Sequence, residues 1–265
     1  MPAQTVNTDG LDTGHSFNEM LVDDAGTVSL IWLDRRQAVY AKSRGDDYNG
    51  SAIYLAQGKV ANNTIVFSNQ KLVDTTCVCC RLSLTHNADN NLALAWRHIY
   101  ANNIRDHALL TLDDKPFQSH RFSRDMWQIN GCPHQGPSLS IDQRNRYHLV
   151  WFNQGDNGKG VFYTYSDNLG VDMSKKQVVG DNNKQASHPH IYAFDMRVDI
   201  VWLEFDGTLH QLWHKVSHDN GKTFQAASLL STSLTKADRP FIIGKGNQRL
   251  VSWHITSNEH RIIPL

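Results

Sequence analysis

Val198-Asp199-Ile200-Val201-Trp202 is one of five short segments that end in tryptophan. Alternation of apolar and polar residues, rich in β-branched side chains, is typical of a β-strand. The five tryptophans are separated by 64, 55, 51 and 51 residues, and the chain of 265 residues has only seven tryptophans. We therefore treat tryptophan as the marker of a repeat. The other four segments are Thr27–Trp32, Asn91–Trp96, Tyr147–Trp151 and Arg249–Trp253.

Further strands are predicted after each marker tryptophan. A fourth strand is predicted at Gln225–Leu230. Four short antiparallel strands repeated about every 50 residues predict the blades of a β-propeller. A β-sandwich or a jelly roll would not require the same tryptophan in every unit. No long apolar stripe has a helical period, so we expect few helices. The predicted third strands are Gln37–Lys42, His107–Leu112, Gly160–Tyr165 and Leu209–Val216.

The repeat predicts one all-β domain over residues 1–265, a propeller of four-stranded antiparallel blades. Five blades are counted, and six is the alternative if the count or the chain is incomplete. The last unit is short, so we expect the first ten residues to supply its outer strand and close the ring. The predicted blades cover approximately residues 14–73, 76–126, 131–180, 185–232 and 237–265.

The charge balance excludes few functions. Lys plus Arg is 26 and Asp plus Glu is 26, which argues against a nucleic-acid binder. No apolar run reaches the roughly 18 residues that a membrane-spanning helix needs. The first residues have no basic-then-apolar pattern, so we expect an extracytoplasmic protein, periplasmic or secreted, only if a signal peptide was removed. We expect a monomer.

A turn in the fourth repeat, Ser217–Phe224, has the pattern S-x-D-x-G-x-T-F. The Asp219 carboxylate can accept backbone N–H groups of the turn, and Gly221 permits positive φ. The segment resembles the Asp box of sialidases and other BNR-repeat propellers, and Ser166–Gly170 is a degenerate relative. The resemblance covers nearly the whole chain. It implies a sialidase-like propeller whose Asp boxes lie on the face opposite the active site.

Two cysteine-containing segments refine this resemblance. Cys77–Arg81 reads C-x-C-C-R, and Gly131–Pro137 reads G-C-P-H-Q-G-P. The chain looks most similar to uncharacterised sialidase-like propellers that carry both segments. In a propeller the first strand of each blade is innermost, and its start lies at the mouth of the central channel. Counting back from the marker tryptophans places all four cysteines just before the first strands of two neighbouring blades.

The clustered cysteines and histidines predict a metal site at this mouth. Thiolate and imidazole suit copper or zinc, although neither segment has zinc-finger spacing. Two alternatives stay open: one or two disulfides, with Cys79 or Cys80 joined to Cys132, and plain packing of small apolar residues. The predicted metal ligands are Cys79, Cys80, Cys132, His134 and His188.

The mouth also predicts a small-molecule, glycan or other anionic ligand, because arginine binds carboxylates in bidentate fashion. The sialidase resemblance implies an arginine triad and an aspartic acid, but no Tyr-Glu pair is identifiable. Catalysis is therefore left open, with an exo-sialidase and a non-catalytic carbohydrate- or protein-binding platform with structural disulfides as alternatives. The ligand-binding candidates are Arg81, Gln135, Arg239 and Trp127. The sialidase-type candidates are Arg81, Arg239, Arg97 and Asp34, with Glu204 at the same offset from its tryptophan as Asp34.

Overall fold

The protein is an all-β propeller of five antiparallel sheets, which confirms the predicted fold class. The computed structural model describes residues 3–61, 64–113, 117–256 and 259–265. One α-helix, α1 (Arg36–Arg44), and two short 3₁₀ helices, Ala101–Asn103 and Asn182–Lys184, accompany the strands. None of the helices in these ranges is long and apolar enough to cross a bilayer.

The strands follow the chain from blade to blade. The first blade holds β1 (His15–Val22), β2 (Thr27–Asp34), β3 (Ser51–Ala61), the short β4 (Thr64–Ile65) and β5 (Ser68–Thr76). The second holds β6 (Ser83–His86), β7 (Leu92–Arg97), β8 (His107–Thr111) and β9 (Ser119–Arg121). The third holds β10 (Ser138–Ile141), β11 (Tyr147–Gly155), β12 (Gly158–Ser166) and β13 (Gln177–Val178). The fourth holds β14 (Ser187–Phe194), β15 (Arg197–Phe205), β16 (His210–Ser217) and β17 (Ser228–Ser233), and the fifth β18 (Phe241–Lys245), β19 (Gln248–Thr256) and β20 (Glu259–Pro264).

The marker tryptophans lie on the second strand of every blade and are buried. Trp96, Trp151, Trp202 and Trp253 each pack in a cluster that joins their own blade to the preceding one. In the second, third and fourth blades both faces of this strand are covered by neighbouring blades, and every residue of β7 is buried. The repeat therefore encodes the interfaces between the blades.

The indole N–H of each buried tryptophan needs an acceptor, because an unpaired buried donor costs free energy. In three blades the acceptor is the residue two positions later, which lies on the same face of the strand. The acceptors are Asp34 for Trp32 (2.8 Å), His98 for Trp96 (3.2 Å), Asp125 for Trp151 (2.6 Å), Glu204 for Trp202 (2.8 Å) and the Asp238 carbonyl for Trp253 (3.1 Å).

The predicted third strand of the first blade is wrong, because residues 37–42 lie in helix α1. Asp34 accepts the backbone N–H of Arg36 at 2.8 Å as the helix begins. Gly45, with φ of 77°, ends it in the left-handed conformation. Alanine, glutamine and lysine favour a helix once a tertiary contact holds its start. The third strand is instead β3, which pairs with β2 so that Trp32 lies opposite Tyr54.

The fifth blade also differs from the prediction. Its sheet has three strands among the described residues, and residues 3–10 form no strand beside it. Val6 packs instead with Trp32 and Tyr54, and its carbonyl accepts a bond from Asn69. Residues 3–10 therefore cover the first blade at the seam of the ring, where Arg239 and Glu19 lie 3.7 Å apart.

The Asp-box turn of the fourth blade has the predicted hydrogen bonds. Ser217 Oγ donates to Asp219 Oδ1 at 2.7 Å and accepts the N–H of Gly221 at 2.9 Å, while the Asp219 carboxylate accepts the N–H of Thr223. The Ser166 turn repeats this pattern with Asn168 in place of the aspartate. Both turns lie at the end of the blade opposite the starts of the first strands.

We expect Gly221→Ala to destabilise the fold more than Gly207→Ala. Both glycines have positive φ, so each substitution costs about 1–2 kcal/mol of backbone strain. A Cβ on Gly221 would also lie 1.7 Å from the hydroxyl of Tyr163 on the third blade, whereas one on Gly207 would meet nothing within 4 Å. Urea denaturation should show an additional loss of about 1–3 kcal/mol for Gly221→Ala. Equal losses would contradict this packing of the turn.

Candidate functional site at the channel mouth

The starts of the first strands surround a cavity of about 600 Å³ at one end of the central channel. Segments of all five blades contribute to its wall, so no single blade could form it alone. Two of its residues, Phe17 and His188, have positive φ where a first strand shifts register against its neighbour. Such bulges turn a side chain away from the regular pleat. The wall consists of Phe17, Arg81, Pro133, His134, His188, Lys236, Ala237, Asp238, Arg239, His254 and Ile255.

Two guanidinium groups in this wall have few partners. Within the described residues, Arg81 has no hydrogen-bond partner for its side chain and lies 5.9 Å from the Phe17 ring. The ion-pair partner of Arg239 within 4.0 Å in the described part of the chain is Glu19 alone, at 3.7 Å. Burial and the nearby charge of Arg81 lower the pKa of Arg239, and burial raises the pKa of Glu19 against the attraction of both arginines. The mouth is therefore short of negative charge.

The cysteine segments lie beside this cavity. The Sγ atoms of Cys77, Cys79 and Cys80 all lie within 4.8 Å of one another, and the three side chains are buried. Cys77 and Cys79 are 3.7 Å apart at sulfur, too far for a disulfide, and all four thiols are free. Cys132, on the neighbouring blade, is exposed and does not belong to this group of three sulfur atoms. The disulfide alternative is therefore not what the structure shows.

Hydrogen bonds among these thiols separate their acidities. Donation from Cys80 lowers the pKa of Cys79 to about 5 against the opposing effect of burial, and Cys132 and the His134 N–H contribute further. Donating to Cys79 raises the pKa of Cys132 to about 11, and burial raises that of Cys80. Cys79 is therefore the thiol most easily held as a thiolate, which is the form that binds metals.

The predicted ligands divide into two groups. His134 and His188 line the cavity, but among the described residues neither imidazole belongs to a group of three or more ligating side chains within 4.8 Å. Burial lowers the pKa of His188, so its ring is neutral at pH 7. Cys77 replaces them in the compact group. The sequence placed Cys77 in the same slot, but nothing in the spacing indicated that it points towards Cys79 and Cys80.

The other candidates lie away from the cavity wall. The Arg97 guanidinium is buried and donates to the carbonyls of Gln135, Arg105 and Phe152 at 3.0, 2.7 and 2.8 Å. Trp127 lies beneath it, with 4.8 Å between the guanidinium carbon and the ring centre. The Gln135 side chain accepts the backbone N–H of His188 at 3.0 Å. These three residues support the wall from behind.

Asp34 is held inside the first blade. Its carboxylate accepts bonds from the Trp32 indole and from Arg36, whose Nη2 lies 2.7 Å away. With Asp9 and His15 it forms a second group with metal-ligating atoms, but Arg36 Nε also lies 3.0 Å from Asp9. Both carboxylates therefore already have a buried cation as partner. Glu204 is likewise bonded to Trp202 and to the N–H of Asp181.

The sequence did not single out several residues of the mouth. Lys236 and Asp238 come from the segment before the fifth blade, and Glu19 lies two residues beyond the bulge of the first. The count back from Trp253 indicated that the segment reaches the mouth. It gave no sign of which side chains point into the cavity, because that depends on local bends.

Solved structures with the same fold support this architecture. No known family model matches the sequence, and no curated protein is similar to it in sequence. A Dyadobacter fermentans protein of unknown function has a TM-score of 0.63 at 14% identity, covering 94% of this chain and 79% of its own. A Hadza microbial sialidase has a TM-score of 0.61 at 14% identity, covering 97% of this chain and 54% of its own.

A polysaccharide lyase, an ulvan lyase, has a TM-score of 0.56 at 10% identity, covering 94% of this chain and 64% of its own. The chain thus spans about half of the sialidase's length and under two thirds of the lyase's. At these identities the likeness concerns the fold alone. The fold is that of a sialidase-like β-propeller, as the sequence predicted.

We expect Asp34→Ala to destabilise the protein by about 3–5 kcal/mol, because it leaves buried Arg36 and Trp32 donors without this partner. Asp46→Ala breaks the exposed ion pair with Arg44 and should cost under about 1 kcal/mol. The side chains of Arg44 and Asp46 are 61% and 59% accessible. Urea denaturation of the two variants measures the difference. A small loss for Asp34→Ala would contradict its structural role.

Proposed function

We propose that Cys77, Cys79, Cys80 and Cys132 bind one soft transition-metal ion, zinc(II) or copper(I). The observation that carries the proposal is the convergence of three buried sulfur atoms within 4.8 Å. Plain packing does not require their sulfur atoms to face one another. A set made only of sulfur suits zinc or copper(I) and does not suit magnesium or calcium. In this proposal His134 and His188 line the cavity and do not bind the metal.

The spacing of the sulfur atoms fits such an ion. A tetrahedral zinc ion with Zn–S bonds of about 2.3 Å holds its sulfur ligands about 3.8 Å apart. The Cys77 and Cys79 sulfur atoms are 3.7 Å apart. Cys132, the remaining cysteine, is exposed on the neighbouring blade, and we take it as the fourth ligand.

Arg97 supports an anionic centre. A buried guanidinium without an anionic partner is unfavourable, and within the described residues no carboxylate oxygen lies within 4.0 Å of Arg97. The groups that can carry negative charge and that act most strongly on Arg97 are the thiols of Cys80 and Cys77, followed by Asp106. Zinc with three or four thiolates, or copper(I) with two or more, leaves a net negative charge that Arg97 would offset.

We expect the reduced protein to bind one equivalent of zinc(II) or copper(I), which elemental analysis after purification without a chelating column would identify. Cys80→Ser should weaken the affinity at least about 100-fold, since even partners that only orient ligands are worth 10–100-fold. His134→Ala, the matched control, should leave metal affinity unchanged. Reduced protein that takes up no metal would contradict the proposal.

We further propose that the mouth cavity binds a small carboxylate-bearing ligand such as an acidic sugar. Arg81 and Arg239 support this, because two guanidinium groups share Glu19 as their nearby carboxylate. Lys236 adds a third cation to the mouth, and Asp238 a second carboxylate. Arginine forks match carboxylates in bidentate geometry. The buried positions of Asp34 and Arg97 do not supply a catalytic acid or a third mouth arginine, so the proposal stops at binding.

The structural neighbours motivate the choice of a sugar. One is a sialidase, one is an ulvan lyase bound to a disaccharide that contains glucuronate, and one is a Fusarium graminearum α-L-arabinofuranosidase in complex with arabinobiose. These are statements about those proteins. For this chain, the positive mouth is what favours an acidic sugar over a neutral one.

We expect glucuronate to bind more tightly than glucose in calorimetric titrations. Arg81→Ala and Arg239→Ala should each weaken glucuronate binding about 10-fold or more, because a charged hydrogen bond contributes about 1.5–3 kcal/mol. Arg144→Ala is the control, since its side chain is 60% exposed at the Asp-box end of the propeller. Equal affinity for the two sugars would contradict an anion-binding mouth.

A further inference from the structure

The two cysteine segments each end in a residue of the cavity wall. Arg81 follows Cys80 directly, and His134 lies two residues after Cys132. Both Arg81 and His134 line the cavity, whereas the sulfur atoms of Cys77, Cys79 and Cys80 are buried beside it. The metal ligands and the ligand-binding residues are therefore parts of the same two short segments.

Backbone contacts hold these segments together. The Cys77 N–H donates to the Arg97 carbonyl at 2.9 Å, and Arg97 Nε donates to the Gln135 carbonyl at 3.0 Å. A Cβ on Gly136 would lie 1.9 Å from the Arg81 carbonyl oxygen, so only glycine permits this approach of the two backbones. Gln135 continues the contact to the fourth blade through the N–H of His188.

The segment around Cys132 is the less firmly held of the two. Residues 130–132 and His134 are exposed, whereas Cys77, Cys79 and Cys80 are buried. Its thiol does not belong to the group of three sulfur atoms that lie within 4.8 Å of one another. A metal–thiolate bond would fix Cys132, and with it the wall residue His134.

We propose that the metal acts as a structural clamp for the mouth, so that the metal and the carboxylate ligand bind cooperatively. The inference rests on the proposed function. Three buried thiols and a fourth from the next blade would enclose the ion, and closed four-ligand sites are structural whereas catalytic sites keep an open position. The ion fixes the separation of Arg81 and His134 and does not touch the ligand.

Cooperativity of this kind is reciprocal. Zinc should tighten glucuronate binding at least about 5-fold, the lower end of typical coupling between sites, and glucuronate should tighten zinc binding by the same factor. Both titrations use the full-length wild-type protein, reduced, with zinc added or removed by a chelator. Amide hydrogen exchange of residues 130–136 should slow on zinc binding, independently of glucuronate.

Two variants separate the clamp from a general effect on folding. Cys132→Ser should weaken zinc binding. Its affinity for glucuronate should equal that of the zinc-free wild-type protein, whether or not zinc is present. Arg239→Ala should weaken glucuronate binding but leave zinc affinity in the absence of glucuronate unchanged, because the fifth blade contributes no thiol. Arg144→Ala should change neither quantity.

The outcomes distinguish the clamp from the proposals beneath it. One equivalent of zinc bound with identical glucuronate affinity in both forms would overturn the clamp and leave both binding proposals standing. Uptake of neither zinc(II) nor copper(I) would overturn the metal site and the clamp together. Zinc uptake without glucuronate binding would overturn the carboxylate site and the clamp but leave the metal site standing.

Discussion

Burial of a tryptophan on the second strand of each blade is the constraint on which this propeller depends. Each indole N–H is buried with its ring, so it must find an acceptor within the protein. Asp34, Asp125 and Glu204 serve as that acceptor in three blades. These carboxylates therefore accept hydrogen bonds that the fold requires. An acidic residue near a marker tryptophan is, for this reason, a poor indicator of catalysis.

The proposed binding sites lie in segments that the blade interfaces leave free. The chain enters each blade at the mouth, where bulges at Phe17 and His188 turn side chains inward. The second and third blades add the cysteine segments there, and the fifth adds Arg239. The proposed metal site and the proposed anion site lie on opposite sides of the cavity wall. Hydrogen bonds of Arg97 and Gln135 connect the two regions.

Much of the fold could be predicted because it repeats. The second strands, the marker tryptophans and the Ser217 turn obey local rules of alternation and turn chemistry. Helix α1 could not be predicted, since its start depends on a tertiary contact. Asp34 accepts the backbone N–H of Arg36 and forms a buried ion pair with the Arg36 side chain. The path of residues 3–10 was also missed, because Val6 is placed by packing against Trp32 and Tyr54 and not by a strand pattern.

By itself, the sequence determined the fold class, the opposed positions of the Asp boxes and the mouth, and the gathering of four cysteines at neighbouring blade entrances. The fold class and the gathering of the cysteines follow from periodicity and from a count along the chain, whereas the position of the Asp boxes follows from the resemblance to sialidases. Only the tertiary structure decided that Cys77 completes the thiol group, that Arg81 and Arg239 face the cavity, and that Asp34 and Arg97 do not. Side-chain direction depends on bulges, close backbone approaches and buried partners, which join residues far apart in the chain.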